Sequence, residues 1–548
     1  MEVLSNIDAW KYCLRKYLCL GTFEGLLISN NTSIDLEKCI DSLIVAERDC
    51  KVVEILQKFR RENRTPKRDA ILFALATCCR CCHLETKKKA YKALPDICQN
   101  PADLFQFLSF YRSLGVGSGW GRAHRRAVAE WYLGYEKQDG QKKEEDEMKK
   151  MVYHFFKYQS RHGWSHKDVF RLCHFKKEHL DKKVMVKYMV LVLTSPKNGR
   201  ARGEEWLNEV KKSTPKENHW KFDKLKNLVE EYSKAQKSKS MTVIIDLIDK
   251  YDIPREVVPS EMLNYKNVWK ALLRRMPFTA LIRNLGKMSN LGVFERGSFE
   301  ENLTIQKLTN PESIQNSKVH PFTLLVALTQ YRKGRGELGS LIWAVNPYIS
   351  QALEDAFYLS FESVSTVEEK SYLIAVDLNG AMNAPVIGSP TISALDAAAA
   401  LAMATVRCGD QCSVVAFSSK EGTPLQGVDL GETDSLPDVL EKFAVISPGK
   451  VDCSRLLKEA TEAKNGGSSV LPETSFDVFI VYTGFKTDFS KDAADLLHEY
   501  DESSRFVLCS LSNSLFQTSL NPKLLEIAGF DSHTPNIINE FVRGSFEC

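Results

Sequence analysis

Between residues 161 and 174 the sequence reads RHGWSHKDVFRLCH, mixing side chains that bind anions with side chains that build a core. Ser165, followed three residues later by Asp168 and then by the apolar Val169, Phe170 and Leu172, has the form of a capping box and predicts a helix start. On that helix Lys167, Arg171 and His174 fall at i, i+4 and i+7, on a face opposite the core. Cations at that spacing can meet successive phosphates, and the free amides of a helix start also favour an anion. His162, Trp164 and His166 could offer flat rings on which unpaired bases stack. Arg122 and Arg126 form a second i, i+4 pair with Arg125 beside them, and a guanidinium suits phosphate because its planar fork donates two hydrogen bonds at once. Taken alone, each cluster reads more readily as a solvated helix face, and Trp164 as a core residue.

Other candidates carry weaker signals. Arg283 and Lys287, in LIRNLGKM (281–288), repeat the i, i+4 spacing. The run Arg332-Lys333-Gly334-Arg335-Gly336 reads as a flexible basic loop. In CCRCCH (78–83), Cys78 and Cys82 share a helical face, but zinc takes about four ligands and no matching CxxC or HxxxH follows. A buried helix carrying small apolar thiols is expected instead. The chain lacks GxxxxGK[ST], HExxH and GxSxG, and Glu144–Glu145 lie in a polar segment, so no catalytic residue is assigned and the chain is read as non-enzymatic.

These residues must be positioned by a chain whose two parts differ in kind. Residues 371–548 hold 12 Lys and Arg against 24 Asp and Glu, which leaves 62 against 46 in residues 1–370. A basic part joined to an acidic one points to a polyanionic partner for the first. Up to about residue 360 the strong segments have apolar residues at three and four: 70–82, 121–135, 183–194 and 241–250. Pro66, Pro95, Pro196, Pro254 and Pro277 fall between or near the ends of such segments. Two polar stretches, 136–150 and 233–240, read as mobile insertions. After residue 370, short β-rich runs at 372–378, 413–419, 477–483 and 505–511 alternate with helical stretches at 391–407, 452–464 and 490–500, predicting a parallel sheet with helices on both faces. The domains are therefore placed at 1–369 and 370–548. The longest apolar run, 397–406, is half of the roughly 20 residues that span a bilayer, no signal peptide is expected, and the 15 cysteines lack a regular framework. A reducing compartment, cytoplasm or nucleus, is expected.

Four segments, GWGRAHRRAVAEWY (119–132), RHGWSHKDVFRLCH (161–174), VWKALLRRMPFTALIRNLGKM (268–288) and VHPFTLLVALTQYRKGRG (319–336), are similar to the TROVE domain of the Ro ribonucleoprotein autoantigen family. YLCLGTFEG (17–25) resembles its opening, and the C-terminal part is similar to the von Willebrand A domain that follows TROVE in that family. The resemblance implies a multidomain fold: an all-α ring of HEAT-like helical repeats, then an α/β doubly wound domain. It also implies a function, in which the ring's central hole takes single-stranded 3′ ends of misfolded non-coding RNAs and the basic outer surface binds small Y RNAs. On that reading Lys167 and Arg171 lead the RNA-contact candidates. His174, His162, His166, Arg122, Arg125, Arg126, Arg283 and Lys287 follow.

In the family's A domain, a D-x-S-x-S motif with a Thr and an Asp from later loops resembles a Mg²⁺ site, a hard cation wanting oxygen ligands. Here the corresponding positions are Asp377, Asn379, Ala381, Val451 and Gly484, so the site reads as degenerate, with Asp452 and Thr483 as the only nearby compensators. No cofactor is expected. The expected partners are small structured RNA, single-stranded RNA ends and a protein partner for the C-terminal domain, with no membrane and a monomeric state. The competing readings are a helical scaffold that binds proteins without RNA and a metal-dependent hydrolase.

Overall fold

The computed structural model describes residues 6–21, 34–47, 51–62, 64–65, 67–115, 119–135, 141–181, 183–194, 211–212, 216–336, 340–363, 367, 369–408, 411–485, 487, 489–512, 521–530 and 533–547. The chain forms two compact units, one of residues 36–275 and one of residues 1–35 with 276–548.

The 36–275 unit is built from successive helices that start where the sequence can satisfy free amides. Asn100 accepts from the Asp103 amide with Pro101 in the first helical turn, and helix Pro101–Ser113 follows. Helix Arg68–Arg80 packs against it and against Leu84–Ile97, burying a continuous run from Ala70 to Cys79. The predicted helices at 121–135, 183–194 and 241–250 appear as Arg122–Leu133, Val184–Thr194 and Met241–Tyr251. Pro66 and Pro196 lie outside the described residues, as do 136–140 and 22–25.

Both predicted insertions are corrected. Residues Gln141–Lys157 form a helix, and His219–Lys237 runs as one helix through most of the second stretch. Met148, Met151, Val152 and Phe155 are buried, an apolar stripe at helical spacing partly hidden by the charge run before it. Glu144 meets Lys221 at 2.7 Å and Glu145 meets Lys224 at 2.5 Å, so those charges face another helix.

The second unit contains an α/β domain. With strands numbered along the chain from the hairpin β1 (Ser160–Arg161) and β2 (Trp164–Ser165), its sheet takes the order β10-β9-β8-β3-β6-β7, where β3 is Ser371–Val376, β6 Gln411–Phe417, β7 Leu425–Gly427, β8 Val478–Thr483, β9 Arg505–Ser510 and β10 Leu524–Ala528, while β4 (Pro385–Val386) and β5 (Ser389–Ser393) pair separately. All neighbours are parallel except β7, which runs antiparallel to β6, so the sheet is mixed and not wholly parallel. One face packs on helices Cys453–Lys464 and Lys491–Tyr500 through Leu373, Phe417, Leu456, Phe479 and Leu508. Helix Ala394–Cys408, which contains the apolar run 397–406, packs against β3, β6 and β8 and buries Ala397 to Ala404. Among the described residues no helix is long and apolar enough to cross a membrane.

Helices upstream of residue 370 share this unit. Phe322 meets Phe530 with ring centroids 4.9 Å apart. The Leu436 amide donates to the Tyr358 hydroxyl at 3.2 Å, and the Arg407 guanidinium lies 4.9 Å from the Phe361 ring. Helix Asn6–Leu20 lies against helix Thr534–Val542, with Tyr12 and Phe546 edge to face at 6.1 Å.

Candidate nucleic-acid interface

Strands β1 (Ser160–Arg161) and β2 (Trp164–Ser165) pair antiparallel around a two-residue turn. His162 at φ 51° and Gly163 at φ 76° both occupy the left-handed region, as a type I′ hairpin turn requires. The turn carries an exposed imidazole at its tip. Ser165 ends the hairpin and caps the next helix, His166–Cys173: its hydroxyl accepts from the Asp168 amide, and the Asp168 carboxylate accepts from the Ser165 amide at 3.1 Å.

That helix presents Arg171 to solvent and holds Lys167 half-buried, and among the described residues neither pairs with a carboxylate. His174 is exposed, but it is the left-handed C-cap at φ 48° and not the third member of a helical row. His166 is corrected outright. It is 3% exposed, stacks on Phe155 at 4.1 Å, and shares a 2.9 Å hydrogen bond through Nδ1 with the Tyr132 hydroxyl. Burial lowers its pKa to about 3, so the ring is a neutral core group that no base can reach. The signal was in the spacing: His166, Val169, Phe170 and Cys173 form the buried i, i+3, i+4, i+7 face.

On helix Arg122–Leu133, Arg122 and Arg126 are exposed and Arg125 half-buried, all three near one end. Arg126 donates through Nε to Glu130 at 2.8 Å, which leaves Arg122 and Arg125 as the uncommitted charges there among the described residues. Arg283 and Lys287 lie in the other compact unit, on helix Phe278–Asn290, where both line a cavity of about 610 Å³ with Tyr331 and Trp343. Arg332 is fixed and not part of a flexible loop, since it donates to Ser350 at 2.9 Å and to Glu354 at 2.6 Å. Cys78, Cys79 and Cys81 are buried and in no disulfide.

Sequence reading missed Arg80, Arg112 and Trp120, which line a smaller cavity with Trp164. No local pattern marks them, because they meet only through the packing of separate helices.

The oxygen-poor positions of the A-type domain form a closed hydrogen-bonded knot. Asp377 is fully buried; its Oδ1 accepts from the Asn379 amide at 2.9 Å and from Asn379 Nδ2 at 2.7 Å, and its Oδ2 accepts from the Thr483 hydroxyl at 2.9 Å. Asn379 Nδ2 also donates to the Gly449 carbonyl at 2.8 Å. Val451 is buried in the sheet core, and Asp452 is occupied capping helix Cys453–Lys464. A Cβ at Gly484 would stand 2.7 Å from the Ala381 carbonyl carbon, so a ligand side chain does not fit between the loops as they pack. One carboxylate already satisfied by the chain's own donors does not fit the family's Mg²⁺ ion.

A helical region followed by an α/β domain with a mixed sheet defines a class, the TROVE-domain proteins that carry a C-terminal von Willebrand A-like domain. A family model described as the TROVE domain matches residues 6–330, and one described as the Ro60 vWA domain matches residues 371–542. The chain belongs to the Ro autoantigen family. It is 29% identical over 594 residues to the RNA-binding protein RO60 of Caenorhabditis elegans, covering 97% of this chain and 87% of that one. It is 25% identical over 543 residues to the RNA-binding protein RO60 of Deinococcus radiodurans, covering 97% and 92%. The crystal structure of the Ro (RSR) protein of D. radiodurans shares its fold, with a TM-score of 0.78, 24% identity and coverage of 98% of this chain and 99% of that chain.

Proposed function

We propose that this chain is a non-enzymatic RNA-binding protein of a small ribonucleoprotein. It binds Y-type small non-coding RNA on a basic outer surface and takes single-stranded 3′ ends of misfolded RNAs, in the manner of an RNA quality-control chaperone of the cytoplasm or nucleus. It works as a monomer without a metal cofactor, and its acidic A-type domain is the part that meets protein. The observation that carries this reading is the capped helix His166–Cys173, which holds Lys167 and Arg171 without carboxylate partners among the described residues. Two cations four residues apart on one helix face can neutralise two phosphates, and binding should then weaken steeply as salt rises.

Replacing Lys167 and Arg171 together by Ala tests it. The double variant should bind a structured small RNA at least tenfold more weakly, with the log–log salt slope shallower by up to about one unit for each lost contact. Melting should stay normal, because neither side chain is a core group. Unchanged affinity and slope would remove this face from the site. Salt-independent binding by the wild-type chain would favour the protein scaffold.

A further inference from the structure

The cavity beside the His166–Cys173 helix has a volume of about 290 Å³. Its wall combines two kinds of group. The first is aromatic: Trp120 and Trp164 are each 8% exposed, and their rings sit 5.7 Å apart at 45°. The second is cationic. Arg80 donates through Nε to the Tyr111 carbonyl at 2.9 Å and lies 3.8 Å over the Tyr111 ring, so its guanidinium is held in place. The guanidinium lies over the bare backbone of Gly115, where a Cβ would have to displace it. Arg112 is exposed at the rim. Among the described residues neither arginine pairs with a carboxylate. Asp168, the carboxylate in the same wall, is engaged by Ser165.

Flat rings beside unneutralised guanidinium groups match a ligand that is planar at one end and anionic at the other. Gly119 and Gly163 leave bare backbone in the wall, where a ring can approach closely. A nucleotide has this chemistry, and so does a phosphotyrosine. The neighbourhood favours the nucleotide, because Lys167 and Arg171 project from the helix that supplies Asp168 and Leu172 to the wall, which gives a phosphate chain somewhere to continue. We propose that this cavity receives one unpaired nucleotide of the bound RNA, its base against Trp120 and Trp164 and its phosphate on Arg80 and Arg112. The assignment rests on the RNA-binding reading above.

The test uses the full chain and a hairpin RNA with one bulged nucleotide, compared with its fully paired counterpart and with the same bulge made abasic, read by fluorescence anisotropy. Base stacking on aromatic side chains should give the bulged RNA about a tenfold preference that the abasic bulge loses. Arg112→Ala removes an exposed, unpaired side chain. Gly119→Phe puts a ring where a Cβ meets nothing within 4 Å. Both should abolish the preference while paired-hairpin binding persists. The Lys167→Ala/Arg171→Ala variant should instead weaken both hairpins. A preference that survives both cavity variants would overturn the nucleotide pocket and leave the RNA reading intact. Failure of the wild-type chain to bind either hairpin would overturn both. Displacement of the RNA by free phosphotyrosine at lower concentration than by a nucleoside monophosphate would assign the cavity to a modified peptide and overturn the proposal.

Discussion

His166, read from the sequence as a ring on which bases could stack, and His124, which drew no reading there, are both core groups in the fold. His124 is 1% exposed and stacked on Tyr111 at 3.8 Å, and among the described residues neither ring nitrogen has a hydrogen-bond partner. Burial, and then the charge of Arg80, lower its pKa to about 3, and burial does the same for His166. An unfolded histidine titrates at about 6.5, so between that pH and about 3 the unfolded chain binds protons that the folded chain refuses. The stability these rings contribute is therefore complete above that pH and falls as pH drops, by up to about 1.4 kcal/mol per pH unit for each ring. Urea melts should show this loss between pH 7 and 5, and His124→Phe should make the drop smaller by about 2 kcal/mol. An unchanged pH slope would show that His124 takes up its proton in the folded state. The sequence could have given His166 through its i, i+3, i+4, i+7 company. It could not give the Arg80–Trp120 neighbourhood, whose members are joined by packing alone.

At the scale of elements, legibility followed apolar continuity. Strands β3, β8 and β9 are buried along almost their whole length and stand out as unbroken apolar runs. β10 carries the buried Glu526 in LLEIA, and β7 is three residues long, so neither makes a pattern. The loops at the carboxyl ends of β3 and β8 were legible as a site that had lost its oxygens, but the knot that replaces it was not. Asn379 ties the 377 and 449 segments together, and Asp377 ties in Thr483, through hydrogen bonds that only the folded backbone brings into range. The melting temperature of the full chain should then be the same in millimolar Mg²⁺ and in EDTA. A bound ion at 100 times its Kd would add about 2.7 kcal/mol. A reproducible Mg²⁺-dependent rise of several degrees, lost in Asp377→Ala, would show that the ion displaces those donors.

At the scale of the molecule, the charge change near residue 370 falls where helices give way to sheet. The compact units divide at Arg275 and Met276 instead. Contacts such as Phe322 on Phe530 and Tyr358 on Leu436 draw the later helices onto the α/β domain, and pairs so distant in sequence leave no local trace. A chain truncated after Glu369 should accordingly keep a protease-resistant 36–275 unit and expose helices Phe278–Asn290 through Pro347–Leu359 to cleavage. Limited proteolysis followed by mass spectrometry reads the outcome. Full protection of 278–359 in the truncated chain would show that those helices need no sheet.

Helix Asn6–Leu20 docks on helix Thr534–Val542, and this sets an order of events at the ribosome. At about 5–20 residues per second, the first helix waits on the order of a minute before its partner is made. Through that interval Leu14, Tyr17 and Leu18, fully buried in the finished fold, face water. The unit to which this helix belongs therefore cannot close until helix Thr534–Val542 has been made.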